Sequence, residues 1–171
     1  MTTTAALRAI GLLAAGVVVV AACAAPAPTT APTAASPTTA PSGPQAAVLG
    51  TALNVMTSGA TASYTVSNLA PVPIDAQIIA AQGTMYAVDV NIVAQTGTTF
   101  FNGFYFVARD QDGASIAPAV GAVKPGITSG QLAPGQTVAG HLAFDVPQGK
   151  SISQVALRDP QGKTLAIWGV G

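Results

Sequence analysis

Residues 86–92 read YAVDVNI, and residues 138–146 read VAGHLAFDV. In both stretches, large apolar side chains alternate with small or polar ones. Successive side chains of a β-strand point to opposite faces of the sheet, so a period of two gives each strand one apolar and one polar face. The two stretches therefore predict half-buried antiparallel strands, with one face in a core and the other toward solvent.

Five further segments are predicted to form strands, at residues 49–56, 62–69, 100–109, 153–158 and 164–170. Turn sequences rich in Gly, Pro and Asp separate them, and no segment combines helical periodicity with a capping residue. Residues 71–81 are expected to form a long connection, with a short helical turn or an edge strand. About seven short strands with frequent turns predict an all-β fold, an immunoglobulin-like antiparallel β-sandwich spanning residues 47–171. The cysteine and tryptophan signature of antibody domains is absent.

The first 22 residues have the three parts of an export signal. Arg8 precedes an apolar run from Ala9 to Ala22, and small residues stand directly before Cys23. This is the bacterial lipobox pattern. We expect residues 1–22 to be removed and Cys23 to carry a diacylglycerol, which anchors the protein at the extracytoplasmic face of the cell membrane. The alternatives are an ordinary cleaved signal, with a shed or secreted product, or an uncleaved helix, although the run is shorter than the ~20 residues of a membrane span.

Residues 23–46 form a linker of different chemistry. After Cys23 it contains only Ala, Pro, Thr, Ser, Gly and Gln. Such a segment buries too little side-chain area to offset its ordering entropy, and its prolines favour extended geometry. We expect a disordered spacer that reaches on the order of 70 Å at ~3.1 Å per residue.

The charge balance narrows the range of partners. Removal of residues 1–22 takes away Arg8, one of six basic residues, and leaves five against six acidic ones. A net charge near −1 argues against nucleic acid as a partner. The mature chain has no second cysteine to pair with Cys23, so packing must stabilise the domain without a disulfide.

Several short motifs resemble a known family, in the same order and at similar spacing. They are YTVSNL at residues 64–69, GTMYA at 83–87, FVAR at 106–109 with Asp112-Gly113, Gly140 followed by FDV at 144–146, and LAIW at 165–168. The chain thus resembles the mycobacterial secreted immunogenic protein family MPT sixty-three over nearly all of residues 47–171. The resemblance implies an immunoglobulin-like sandwich in an extracellular, antigen-like protein without established enzymatic activity. It carries over no catalytic or binding residue.

Reactive side chains are few. His141 and Asp145 share a face of one predicted strand, but at ~3.3 Å per residue they lie about 13 Å apart, too far for a hydrogen bond. The chain has no Glu and one His, which leaves metal hydrolysis without ligands. Asp110 to Gly113 imitates the start of a calcium loop, but its glycine comes too early and the closing Glu is missing, so a hairpin turn is expected. No catalytic residue, metal or cofactor is predicted.

Aromatic residues concentrate in residues 100–106. As a continuous strand, this run would place Phe100, Phe104 and Phe106 on one face and Phe101 and Tyr105 on the other. Either both faces are core, or Phe101 and Tyr105 form an exposed patch for a protein or lipid partner. These two residues are the candidate partner-binding site. The last strand, with Trp168, Leu165 and Ile167, is expected to pack into or beside the core.

The features together favour a non-enzymatic function. We expect a lipid-anchored immunoglobulin-like domain that recognises another cell-envelope or host component through its surface. The alternative is an envelope carrier that holds a lipid or other apolar ligand in a cavity of the sandwich. A hydrolase ranks last, because no acid, base and nucleophile are placed to meet.

Overall fold

The computed structural model describes residues 43–171, and the predictions for residues 1–22, for Cys23 and for the linker up to residue 42 lie outside this part. It contains eleven strands: β1 (Gln45–Val48), β2 (Ala52–Thr57), β3 (Ala60–Pro71), β4 (Thr84–Thr96), β5 (Thr99–Asn102), β6 (Phe106–Asp110), β7 (Ser115–Ile116), β8 (Ser129–Leu132), β9 (Thr137–Val146), β10 (Ile152–Arg158) and β11 (Thr164–Gly169). Two 3-10 turns, at Ile74–Ala76 and Gly103–Tyr105, complete the regular structure. The first strand begins two residues before the expected boundary at residue 47.

Two sheets form a sandwich, which confirms the predicted fold class. The strand orders are β1-β11-β10-β6-β7 in the first sheet and β2-β3-β4-β9 in the second. Every pair is antiparallel except β1 with β11. A third, two-stranded sheet pairs β5 with β8. The predicted connection after β3 is confirmed as a long segment with one 3-10 turn at Ile74–Ala76. No helix in residues 43–171 is long and apolar enough to cross a membrane.

The core lies between the two large sheets. The alternating residues Val88, Val90 and Ile92 of β4 expose at most 1% of their surface, as their period of two predicts. Trp168 of the last strand is fully buried, and its Nε1–H donates a hydrogen bond to the carbonyl oxygen of Thr51 at 2.8 Å. This bond fixes the last strand against the segment that precedes β2. The expected packing of Trp168 into the core is confirmed.

The prediction of one strand over residues 100–109 is wrong. The chain pairs with β8 up to Asn102, turns at Gly103–Tyr105 and enters the first sheet at Phe106. Gly103 allows this turn to be buried, since a Cβ there would lie 2.7 Å from the carbonyl oxygen of Ile127, just before β8. The expected common face of Phe100, Phe104 and Phe106 is therefore also wrong, because Phe106 alone is buried.

Candidate functional site

The aromatic residues before β6 differ in exposure. Phe100 and Phe104 expose 63% and 65% of their surface. Phe101 and Tyr105, the residues predicted to bind a partner, are half-buried and pack against the main core. Phe100 and Phe104, which the sequence pattern assigned to the core-facing side, are thus the rings most open to a partner.

Local sequence explains this arrangement. The side-chain oxygen of Asn102 accepts the N–H of Phe104 at 2.9 Å and caps the 3-10 turn. A Cβ at Gly130 would lie 2.8 Å from Cζ of Phe101, so the glycine of β8 leaves the space that the ring fills. The turn therefore directs Phe104 outward, while the ring of Phe101 lies over β8.

A pocket of about 290 Å³ opens beside the aromatic run. We call it the aromatic pocket. Its lining includes the aromatic and aliphatic residues Tyr64, Phe100, Tyr105, Leu157 and Leu165 and the polar or charged residues Thr57, Ser58, Thr98, Arg158 and Asp159. Tyr64 belongs to β3 in one large sheet, whereas Leu157 and Leu165 belong to β10 and β11 in the other. The pocket is therefore a gap between the two sheets, and its walls are aromatic, aliphatic and polar.

Two polar groups of the aromatic pocket are unusual. Burial raises the pKa of the Tyr64 hydroxyl from 10.0 to about 12. The Nε of Arg158 is buried, and within residues 43–171 it has no hydrogen-bond partner. The neighbouring carboxylate, Asp159, uses Oδ1 to accept the backbone N–H groups of Gln161 and Lys163 in the β10–β11 turn. Arg158 and Asp159 thus place charged residues beside the apolar walls of the pocket.

A second polar cluster crosses the outer face of the four-stranded sheet. Asp89 Oδ1 lies 2.7 Å from His141 Nδ1, and Asp89 Oδ2 accepts the side-chain N–H of Asn68 at 2.7 Å. The register pairs Asp89 with His141 across β4 and β9. Spacing along β9 excluded Asp145 as a partner of His141 and gave no indication of Asp89, although Asp89 and His141 stand on the polar faces of the two best-predicted strands. A pocket of about 300 Å³ lies beside this cluster.

The pairing of His141 with Asp89 resembles the base and orienting acid of a hydrolase. The hydroxyl aligned with them across the sheet, that of Ser67 in β3, lies too far from His141 to act as a nucleophile. Ser67 pairs with Asp89 on the other side, so Asp89 stands between Ser67 and His141. Two strand spacings of ~4.8 Å put the backbones of Ser67 and His141 roughly 9.6 Å apart, beyond the reach of a serine hydroxyl. These three aligned residues therefore orient the imidazole of His141 through Asp89 but place no nucleophile beside it.

The remaining carboxylates of interest organise turns. Asp110 Oδ1 accepts the backbone N–H groups of Asp112 and Ala114, and the chain forms the expected hairpin between β6 and β7. Asp145 accepts the backbone N–H groups of Gln82 and Gly83. Among residues 43–171, no group of three or more His, Cys, Asp or Glu side chains is arranged to hold a metal ion.

The fold has known relatives. The chain is similar to the solved structure of a secreted protein from Mycobacterium tuberculosis, MPT63, with a TM-score of 0.67 and 22% identity over 75% of this chain and 98% of that one. It is also similar to the yjhA protein from Bacillus subtilis, with a TM-score of 0.52 and 15% identity over 74% of this chain and 99% of that one. At these identities the likeness shows the fold. No curated protein matches the chain. Residues 44–168 match a family described as "Domain of unknown function (DUF1942)".

Proposed function

We propose that this chain, which belongs to the DUF1942 family, is an exported and lipid-anchored β-sandwich that recognises a protein partner through its aromatic surface. We define this surface by Phe100 and Phe104, which are exposed, and by the half-buried Phe101 and Tyr105 beside them. The function is non-enzymatic binding at the cell envelope or at the host interface. Display outside the cell also makes such a domain available as an antigen.

The observation that carries this proposal is the exposure of two phenylalanines close together in the sequence. Phe100 and Phe104 are the most exposed aromatic side chains among residues 43–171, at 63% and 65%. Aromatic residues are enriched at the centre of protein interfaces, where they bury a large area at low entropic cost. Since the 3-10 turn at Gly103–Tyr105 holds Phe104 outward, the surface is presented by backbone geometry.

The location outside the cell has separate support. The lipobox at Ala21-Ala22-Cys23 and the linker after it are sequence features of a tethered lipoprotein. The M. tuberculosis relative is described as secreted. We expect Cys23→Ala to abolish incorporation of an acyl label and to move the protein from the detergent phase to the aqueous phase. Persistence of the variant in the detergent phase would contradict the lipid anchor.

The partner surface is tested by proximity labelling from the tethered protein in intact cells. The test variant combines Phe100→Ser and Phe104→Ser, and the matched control combines Ile78→Ser and Ile79→Ser, which are also exposed, at 53% and 52%. We expect the test variant to lose one or more labelled proteins that the wild type and the control retain. Identical labelling by all three proteins would contradict the aromatic surface, and turnover of a substrate by the purified domain would contradict a non-enzymatic role.

The aromatic pocket favours a second candidate, a carrier function. Its volume of about 290 Å³ lies just below the ~300–1,000 Å³ typical of ligand sites. This size suits a single ring better than the acyl chains of a membrane lipid. Native mass spectrometry of the purified protein is the direct test, and a bound small molecule that survives purification would support the carrier.

A further inference from the structure

We infer that the chain forms a symmetric dimer in which the open edge of β2 pairs, antiparallel, with the β2 edge of a second copy. A twofold axis passes beside Asn54 and joins the two four-stranded sheets into one. The dimer goes beyond the proposed function, because it uses the backbone of an edge strand and not the aromatic surface.

The edge of β2 has unpaired backbone groups. β2 is the last strand of its sheet and pairs with β3 alone. Ser58 and Gly59 both have positive φ and form the two-residue turn of the β2–β3 hairpin, so the residues on either side of the turn are a hydrogen-bonded pair. Such pairs alternate along an antiparallel ladder. The N–H and C=O groups of Ala52, Asn54 and Met56 therefore point away from β3, toward the open edge.

One of these outward groups already accepts an amide donor. The carbonyl oxygen of Asn54 accepts the side-chain N–H of Gln45 at 2.5 Å. A carbonyl oxygen has two lone pairs, so the N–H of a second strand can bind beside this amide. The same contact shows that β1, the edge strand of the other large sheet, lies on the same side of the sandwich as β2.

This side of the sandwich carries no charge. Residues 43–74, which include β1, β2 and β3, contain no Asp, Glu, Lys or Arg. Proteins commonly protect an edge strand with Lys, Pro or an inward-pointing charge, and β2 has none of these. In a contact with twofold symmetry, each residue near the axis faces its own copy, so a charge there would face a like charge. An uncharged edge therefore suits a second copy of the same chain.

The outward residues match their own copies in one register. When Asn54 pairs with Asn54 of the second copy, Ala52 pairs with Met56 of the second copy, and all three residues exchange both backbone hydrogen bonds. A shift of two residues would place Ala52 opposite the turn residue Ser58, or Met56 opposite Gly50, whose φ is also positive. Either shift would lose hydrogen bonds, so the register centred on Asn54 is the favoured one.

The same register covers exposed apolar side chains. Met56 is 68% exposed, and in the dimer it lies beside the small side chain of Ala52 from the second copy. A twofold axis perpendicular to the sheets also brings the two β1 edges toward each other. Val48 of β1, which is 63% exposed, then lies on the side of the sandwich that faces the second copy.

Cysteine cross-linking of the full chain in intact cells tests this register. The Cα atoms of a hydrogen-bonded antiparallel pair lie ~5.5 Å apart, within the ~4.4–6.8 Å range of disulfides. Under mild oxidation, we expect Asn54→Cys to give about tenfold more disulfide-linked dimer than the wild type, whose single cysteine is Cys23. The control is Ser63→Cys, at the neighbouring position on β3. Its two copies would lie roughly 14 Å apart at ~4.8 Å per strand, so it should give no more dimer than the wild type.

Charges at Asn54 test the twofold symmetry. Two full-length copies with different epitope tags are co-expressed, and the second is quantified after the first is purified in mild detergent. We expect Asn54→Lys in both copies, or Asn54→Asp in both, to lower co-purification about fivefold, because like charges then face each other. Asn54→Lys in one copy and Asn54→Asp in the other should restore co-purification to within about twofold of the wild type. Ser63→Lys in both copies is the control and should leave co-purification unchanged.

Three results would overturn the dimer. They are a cross-link from Asn54→Cys to a different protein, no more dimer from Asn54→Cys than from Ser63→Cys, and opposite charges that fail to restore co-purification. Each is separable from the proposed function. If cross-linking at Asn54 fails while proximity labelling still depends on Phe100 and Phe104, the dimer is wrong and the aromatic surface stands. If the dimer forms while labelling is unaffected by those two residues, the reverse holds.

Discussion

Tyr64 should make the stability of the domain fall in alkaline solution. In the unfolded chain its hydroxyl has a pKa of 10.0, whereas burial in the native state raises the pKa to about 12. Between these values, the unfolded chain has released the proton and the native protein still holds it. The free energy of unfolding therefore decreases as the pH rises, while the full contribution of Tyr64 is present below pH 10.

The magnitude follows from the size of the pKa difference. Each pH unit within this window costs about 1.4 kcal/mol, so the loss reaches about 2 kcal/mol at pH 11.5. Tyr64→Phe removes the titrating group and keeps the ring that packs on Phe106. We expect the difference in unfolding free energy between wild type and Tyr64→Phe to be constant from pH 7 to 9 and then to shift by that amount in favour of the variant.

Urea titrations followed by the fluorescence of Trp168, the single tryptophan of the chain, measure this difference. Other groups that titrate above pH 10 are common to both proteins and cancel in the comparison. A difference that stays constant from pH 7 to 11.5 would refute the reasoning, because the Tyr64 hydroxyl would then ionise as easily in the native protein as in the unfolded chain.

Three further predictions concern the packing and the turns of the sandwich, and each is checked by urea denaturation followed by circular dichroism. Gly83→Ala should destabilise the domain by about 3 kcal/mol, because the added Cβ would lie 2.0 Å from the carbonyl oxygen of Val146 and would break the hydrogen bond from Gly83 N–H to Asp145. The control Gly169→Ala, whose Cβ would have its nearest neighbour at 3.8 Å, should change stability by less than about 1 kcal/mol. Trp168→Phe should cost about 2 to 4 kcal/mol through lost volume and the lost bond to Thr51, and a cost below about 1 kcal/mol would contradict the buried role of the indole. Asp110→Ala removes two hydrogen bonds to backbone N–H groups at a buried turn and should cost about 2 to 3 kcal/mol of stability. Asp159→Ala removes a corresponding pair at a half-buried turn and should cost about 1 kcal/mol. Equal costs would show that burial does not strengthen these hydrogen bonds.

The strands β4 and β9 of the second sheet were predictable because their signal is local. β4 and β9 each alternate over at least seven residues, and the period of two alone determines which side chains face the core. Residues 100–109 lacked such a signal, since apolar residues occupy seven of the ten positions and do not alternate with polar ones. The dipeptide Asn102-Gly103 was the available indication of a turn, and the aromatic residues on both sides concealed it.

The candidate sites were harder to predict because tertiary structure assembles them. Asp89 meets His141 only in the register that the two strands adopt, and 52 residues separate them in the chain. In the aromatic pocket, Tyr64 and Arg158 come from opposite sheets. A sequence pattern gives the face of each residue within its own strand, but it does not give the position of one sheet relative to the other.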